Sequence, residues 1–180
     1  MEIWKQLNTE EGAKALVRAY AGRLYGLAYR LCRDSTNSED LAMRTIERAI
    51  KAKGDFESEK AFFAFLCAIL VNLHRDDLRL KAANALTFME NPPETEDERP
   101  DPAEEFVRKS EAEAVRYAVG ELSPILRETV VLRYFSDLSV PETAKALGVP
   151  EGTVKFRLSE ARRKIREILT QRFGDLSRSS

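Results

Sequence analysis

The 180-residue chain has one histidine, two cysteines and one tryptophan, and no apolar run approaching the roughly 18 residues that a membrane span needs. Each shortage excludes something. His74 with Cys32 and Cys67 makes no recognised metal-ligand spacing, and there is no CxxC pair. Both cysteines sit in apolar helical patterns and read as small buried apolar residues, with a reactive thiol as the alternative. There is no glycine-rich phosphate loop and no HExxH, and His74, beside Arg75, Asp76 and Asp77, has no accompanying nucleophile motif. Asp76 and Asp77 are adjacent, so on a helix they diverge by about 100° and cannot share a metal; a solvated helix end is the simpler reading. No catalytic residue, cofactor, metal or small-molecule substrate is therefore expected. Met1 to Gly12 lacks an apolar leader segment, so the expected location is cytoplasmic, without membrane insertion. Aromatics (8%), Gly (8) and Pro (7) are sparse as well, whereas 33% of residues are charged. That balance belongs to a soluble, helix-rich protein of one or two small domains.

Charge is segregated along the chain. The net formal charge of -1 conceals +2 over residues 1–85, -6 over 86–120 and +3 over 121–180. The acid is concentrated in TFMENPPETEDERPDPAEE, Thr87 to Glu105, which holds four prolines and eight acidic residues. Such a segment cannot nucleate a core and reads as a tether. About 20 residues at roughly 3.3 Å each reach about 66 Å, close to two turns of B-DNA at about 34 Å per turn. Two basic-leaning ends on an acidic connector fit nucleic-acid contacts at separated sites.

The most specific signal is SVPETAKALGVPEGTVKFRLSEARRKIREIL, Ser139 to Leu169. Ser139 with Glu142 predicts a capping box, and Gly148 a left-handed stop that lets the next helix leave at a steep angle. Pro150 suits the first position of a second helix. Val154, Leu158, Ala161, Ile165, Ile168 and Leu169 then recur every three or four residues, which makes one side core. The other side carries Thr153, Lys155, Arg157, Arg162, Arg163 and Arg166. This pattern is a helix-turn-helix whose second helix fits a major groove, early residues at base edges and later cations on phosphates. The alternative is a solvated cationic face.

Upstream, Leu16, Val17, Tyr20, Leu24, Leu27, Ala28 and Leu31 predict a first helix that DSTNS (34–38) interrupts. Asn37 or Ser38 is the expected cap of a second helix running to about Lys53, with Glu39 and Asp40 in its first turn. A third helix follows Gly54-Asp55 and the loop FESEK (56–60). Its Phe62, Phe63, Phe65, Leu66, Ile69, Leu70 and Leu73 are apolar nearly all round, so it is buried or faces a partner. Residues 106–120 read as a helical lead-in. A helix capped by Ser123-Pro124 and spanning Ile125 to Phe135 supplies the scaffold behind the helix-turn-helix.

Two helical modules, an acidic tether and a terminal helix-turn-helix resemble the small two-domain sigma factors of bacterial RNA polymerase, the extracytoplasmic-function type of the sigma-70 family. The resemblance covers roughly residues 12–85 and 108–170. It is specific in ELSPILRETVVLRYFSDLSVPETAKALGVPEGTVKFRLSEAR and looser in SEDLAMRTIERAI and FESEKAFFAFLCAILVNLHRDDLR. It implies an all-α fold with a region 2-like domain at 8–85, a flexible acidic linker at 86–107 and a region 4-like domain at 108–173. By resemblance, the C-terminal domain reads the minus-35 duplex through Thr153, Lys155, Phe156, Arg157, Ser159, Arg162, Arg163 and Arg166. The N-terminal domain grips the polymerase clamp through Glu39, Asp40, Leu41 and Ile46. It also holds the melted minus-10 strand with Lys60, Phe62, Phe65, Asn72, Arg75 and Arg79, since an opened strand needs aromatic surface and cations.

The chain departs from the family pattern at several positions. Phe156 replaces a small polar residue and either contacts a thymine methyl or packs between helices. Glu160 replaces a frequent cation and either accepts from cytosine N4 or pairs with Lys164. Met43-Arg44 replaces a Gln-Glu pair, Phe65 a Trp, and Ala68 a frequent Arg. The acidic linker either mimics phosphate in cationic channels or only keeps the domains apart and soluble. The implied partners are core RNA polymerase (clamp and flap), promoter DNA and an anti-sigma factor. Two other functions compete: a sigma-like decoy that sequesters an anti-sigma factor, and a plain helix-turn-helix regulator. The intact basic helix weighs against a decoy, and the lack of a heptad seam or ligand domain weighs against a regulator.

Overall fold

Thr9 starts the first long helix, α1 (Glu10–Cys32): its side chain accepts from the Gly12 amide at 3.0 Å, satisfying an orphan donor of the first turn. The structure, a computed structural model, describes residues 3–52, 54–87 and 111–173. The tether and lead-in residues at 88–110, and Lys53, lie outside the described residues. At its far end α1 closes on Arg33, which takes a left-handed conformation (φ 59°) uncommon for a residue with a side chain.

The reversal at Arg33 sets up Asp34 as the cap of α2 (Ser35–Lys51), where its carboxylate accepts from the Asn37 amide at 2.7 Å. Asn37 and Ser38, the expected caps, lie inside the helix. The chain has already turned by Asp34, so the earliest oxygen-bearing side chain takes the role. Ser58 opens α3 (Glu59–Thr87), accepting from Ala61 at 3.1 Å.

Leu16, Leu24, Leu31, Leu41, Ile46, Leu66 and Leu70 fill the space among these three helices. A short 3-10 turn, Ile3–Gln6, closes one end with the buried Trp4. The Trp4, Tyr20, Phe56, Phe63 and Phe65 rings surround or adjoin Phe62. Burial, aided by Glu59, pushes the Tyr20 phenol up to about 12 while its hydroxyl donates to Glu59 at 3.2 Å.

The C-terminal group comprises α4 (Glu111–Gly120), α5 (Pro124–Val130), α6 (Val140–Leu147) and α7 (Glu151–Phe173). Ser123 precedes α5 without a side-chain capping bond; Pro124 in the first turn has no amide to satisfy. The scaffold helix expected to reach Phe135 stays α-helical only to Val130. It then widens into a π turn, Val131–Phe135, whose closing bond runs from the Ser136 amide to the Val131 carbonyl at 3.2 Å.

The α6–α7 hinge forms as the sequence implies. Both halves of the Ser139–Glu142 capping box are made, and Gly148 sits at φ 66°. The second helix begins one residue after Pro150, whose carbonyl receives the Thr153 and Val154 amides. Val119, Leu122, Val130, Ala144, Val154, Leu158 and Ala161 form a second, smaller core.

The two groups are docked. Val131, Leu132, Leu138, Ala146 and Leu147 belong to the same apolar core as α1–α3, with α6 lying against α3. Arginines fasten the seam in both directions. Arg127 donates to the Leu31 carbonyl at 2.9 Å, and Arg33 donates to the Gly120 carbonyl at 3.2 Å and to Glu121 at 2.8 Å. Each bundle thus neutralises the electronegative end of a helix in the other. Burial, then Arg33's like charge, holds the Arg127 pKa below its ordinary value.

Candidate nucleic-acid interface

Along α7, Val154, Leu158 and Ala161 point into the core, so the residues on the opposite side of the helix face away. Lys155, Phe156, Ser159, Arg162, Arg163 and Arg166 are exposed and Thr153 is half-buried. Phe156 is 66% exposed, which rules out the helix-packing alternative in this state. A ring left in water on a cationic helix is available for apolar contact with a base edge.

Charge along this face is not uniform. Arg162 and Arg166 make no ion pair among the described residues, whereas Arg163 is held by Glu160 at 3.0 Å and by Glu167. The carboxylate of Glu160 therefore pairs with Arg163, three residues on, and not with Lys164. The Arg163 hydrogen bond lowers its pKa.

Arg157 departs from expectation. Its side chain is only 18% exposed and turns back toward Glu128 of α5, at 3.6 Å. Position 157 follows Val154 and precedes Leu158, at the edge of the core stripe, so the guanidinium reaches the scaffold before it reaches solvent. A base-edge contact by Arg157 is thus corrected to an internal ion pair that fixes α7 on α5.

Glu128 is the hub that sequence reasoning missed. Its 4%-exposed side chain also receives a two-point contact from Arg75 of α3, Nη2 to Oε1 at 2.5 Å and Nε to Oε2 at 2.9 Å. Arg75 further donates to the Leu147 carbonyl at 3.2 Å, and the Glu128 hydrogen bonds raise its pKa. A signal was present: a carboxylate close to the apolar Ile125, Leu126, Val130 and Val131 of the scaffold needs a partner if it is buried.

The strand-holding set of the N-terminal bundle is divided. Phe62 is fully buried among Trp4, Tyr20 and Phe56 and is a core residue, not a stacking surface. The reason is the face of α3 it occupies, shared with Leu66 and Leu70. Lys60 is exposed but pairs with Glu142 of α6 at 3.2 Å. Phe65 is half-buried with its centroid 5.0 Å from Phe56, and it lines a cavity of about 430 Å³ that Glu142, Lys145 and Ala146 border from α6. Asn72 is exposed, Arg79 is exposed and pairs with Asp76 at 3.0 Å, and Arg75 is taken by Glu128.

The polymerase-gripping set is also split. Glu39 and Asp40 are exposed, but Leu41 and Ile46 are buried in the core of α1–α3, which corrects their assignment to a contact surface. Met43 is 47% exposed on the same helix. Arg44 spans to Asp77 of α3 at 3.0 Å through both terminal nitrogens and also meets Asp40 at 3.0 Å; these bonds raise its pKa. Asp77 is therefore part of an ion pair and not a solvated end. Ala68 is half-buried. Cys67 is buried, its thiol pushed up to about 12 by burial, but Cys32 is only half-buried, with its sulfur 3.7 Å from His74 Nδ1. No group of three metal-binding side chains occurs among the described residues.

Family models match both halves: "Sigma-70 region 2" over residues 16–83 and "Sigma-70, region 4" over residues 112–165. The chain is 30% identical over 154 residues to the ECF RNA polymerase sigma factor SigM of Mycobacterium tuberculosis, covering 86% of this chain and 75% of that protein. It belongs to the sigma-70 family, extracytoplasmic-function type. This sigma factor is also 31% identical over 169 residues to SigE of Mycolicibacterium smegmatis, covering 92% of this chain but 64% of that one. It thus spans somewhat less than two thirds of SigE's length. Its fold is similar to that of the sigma factor RpoE from Bartonella quintana, solved in complex with the anti-sigma factor NepR. The TM-score there is 0.69 at 24% identity, over 87% of this chain and 96% of that one. None of the helices among the described residues is long and apolar enough to cross a membrane.

Proposed function

We propose that this sigma factor directs core RNA polymerase to specific promoters, reading the minus-35 duplex with α7 and holding the melted minus-10 strand with the N-terminal bundle. The observation that carries this reading is the exposed stripe of Lys155, Phe156, Ser159, Arg162 and Arg166, set on a helix anchored from behind by its own core and by Arg157–Glu128. A rigid helix with outward cations suits insertion into a major groove, and the outward ring offers an apolar contact to a base edge. Polymerase contact falls to the exposed Glu39, Asp40 and Met43 of α2. The working boundaries are residues 8–85 for the polymerase and minus-10 domain, 86–107 for the linker and 108–173 for the minus-35 domain.

The docked arrangement is the resting form in this reading. Lys60 and Phe65 face α6, so engagement of a melted strand requires the bundles to part, exchanging Lys60–Glu142 and Arg75–Glu128 for phosphate contacts. An anti-sigma factor that prefers the docked form would block initiation by population shift. The protein has no chemistry of its own and acts in the cytoplasm, where the polymerase is. Run-off transcription by core polymerase with this chain against a promoter library is the test. Transcripts that start at a common element support the reading, and binding to core with no transcript from any promoter overturns it in favour of a decoy.

A further inference from the structure

On the seam, away from α6, the end of α1 and the C-terminal half of α4 border an open cavity of about 520 Å³ lined by Tyr29, Arg30, Arg33, Arg116, Tyr117 and Phe135, among others. Neither DNA reading nor polymerase contact, as described above, uses it. Its charge is out of balance. Three guanidinium groups line it, and among the described residues the only carboxylate paired with any of them is Glu121, on Arg33 at 2.8 Å. Arg116 makes no ion pair among the described residues. Arg30 donates to the Gly26 carbonyl at 2.6 Å, but its Nε is buried without an acceptor there. Burial first, then the like charge of Arg116, pulls the Arg30 pKa down. Arg30 and Arg116 repel each other with no carboxylate paired to either among the described residues, and an anion shared between them reverses the sign of that interaction.

The aromatic rings narrow the anion's identity. The Arg30 guanidinium lies over the Phe135 ring at 4.4 Å, Arg172 lies over Tyr117 at 5.0 Å, and Tyr29 is 49% exposed beside Tyr25. Rings and guanidinium planes side by side are surfaces on which a nucleobase stacks, and arginine forks match phosphate oxygens. A bare phosphate would leave most of the space empty, whereas roughly 300–1,000 Å³ is the range of small-ligand sites.

We propose that this cavity binds a nucleoside polyphosphate, its phosphates on Arg30, Arg33 and Arg116 and its base against Tyr29. Arg30 comes from α1, Arg33 from the turn that closes it and Arg116 from α4, so the ligand fastens the two bundles together and favours the docked form.

Isothermal titration calorimetry on the full chain with ATP and GTP, and with inorganic pyrophosphate and a short single-stranded oligonucleotide as comparators, tests this. At least one triphosphate is expected to bind at one site and to raise the melting temperature. Arg116→Ala and Tyr29→Ala should each weaken it about tenfold, the loss of one charge-assisted contact or one stacking surface, while Tyr29→Phe retains affinity. Arg116 and Tyr29 are exposed, so circular dichroism should show all three variants folded. Four results would each overturn the proposal: no binding at millimolar nucleotide, pyrophosphate binding as tightly as the triphosphates, oligonucleotide binding more tightly through the same residues, or affinity indifferent to Arg116→Ala.

Discussion

The two bundles keep their working surfaces in different ways. In the C-terminal one, the core stripe and the cationic face of α7 lie on opposite sides, so the face is in water whether or not the bundles are docked. In the N-terminal one, the aromatic and cationic residues of α3 are shared among the core, the seam and solvent: Phe62 is core, Arg75 and Lys60 are engaged across the seam, and Asn72 is free to solvent. Periodicity separates inside from outside on a helix with one buried side. It fails on a helix apolar nearly all round, where the identity of the neighbour decides what each residue does.

Paired substitutions sharpen this contrast. Phe62→Ala should cost about 3–5 kcal/mol of stability by chemical denaturation, whereas Phe156→Ala, on an exposed ring, should stay within about 0.5 kcal/mol. The second variant should instead lose promoter duplex affinity; equal stability losses would erase the distinction between the faces. Glu128→Ala strands Arg75 and Arg157 without their shared carboxylate, for which about 3–5 kcal/mol is the expected range. In a double-mutant cycle, Arg75→Ala and Glu128→Ala should be strongly non-additive, and simple additivity would deny the hub.

Smaller effects probe the surfaces. Lys155→Ala should weaken duplex binding and lower the salt slope by about 1, while Arg157→Ala should reduce DNA binding only as far as it destabilises α7 on α5. A selective loss of base preference in the Arg157 variant at unchanged stability would restore it as a base reader. Lys60→Gln removes an exposed seam pair and should cost at most about 1 kcal/mol in thermal melts.

Acid should loosen the seam gently. Burial, then the charge of Arg127, holds the folded-state pKa of His74 below its ordinary value of 6.5. The unfolded chain therefore binds the proton first, so stability falls as pH drops below about 6.5 and is flat above it until other groups titrate. His74→Gln should flatten that slope; an unchanged slope would place the proton elsewhere.

Much of the C-terminal half was legible in advance. Ser139, Glu142 and Gly148 act through backbone geometry and bonds three residues long, and Val154, Leu158 and Ala161 repeat every three or four positions, so neither signal needs a distant partner. The expected cap at Asn37 or Ser38 differs from the observed Asp34 because DSTNS offers several equivalent oxygens, and only the turn at Arg33 chooses among them. Trp4 leaves no signal in the sequence because a single 3-10 turn carries no period. The family resemblance puts Leu41 and Ile46 on a contact surface, but their spacing also fits the stripe that α2 buries.

Local chemistry, acting within a turn or two of the backbone, thus settled from the sequence alone that the chain is helical, where its hinge bends and which side of α7 is wet. Tertiary structure alone decided that Glu128 joins Arg75 to Arg157, that α6 lies over the aromatic side of α3, and that three arginines from two bundles meet around one cavity. Those pairings depend on residues tens of positions apart, and a charge finds its partner only once packing has removed the water that would otherwise have served it.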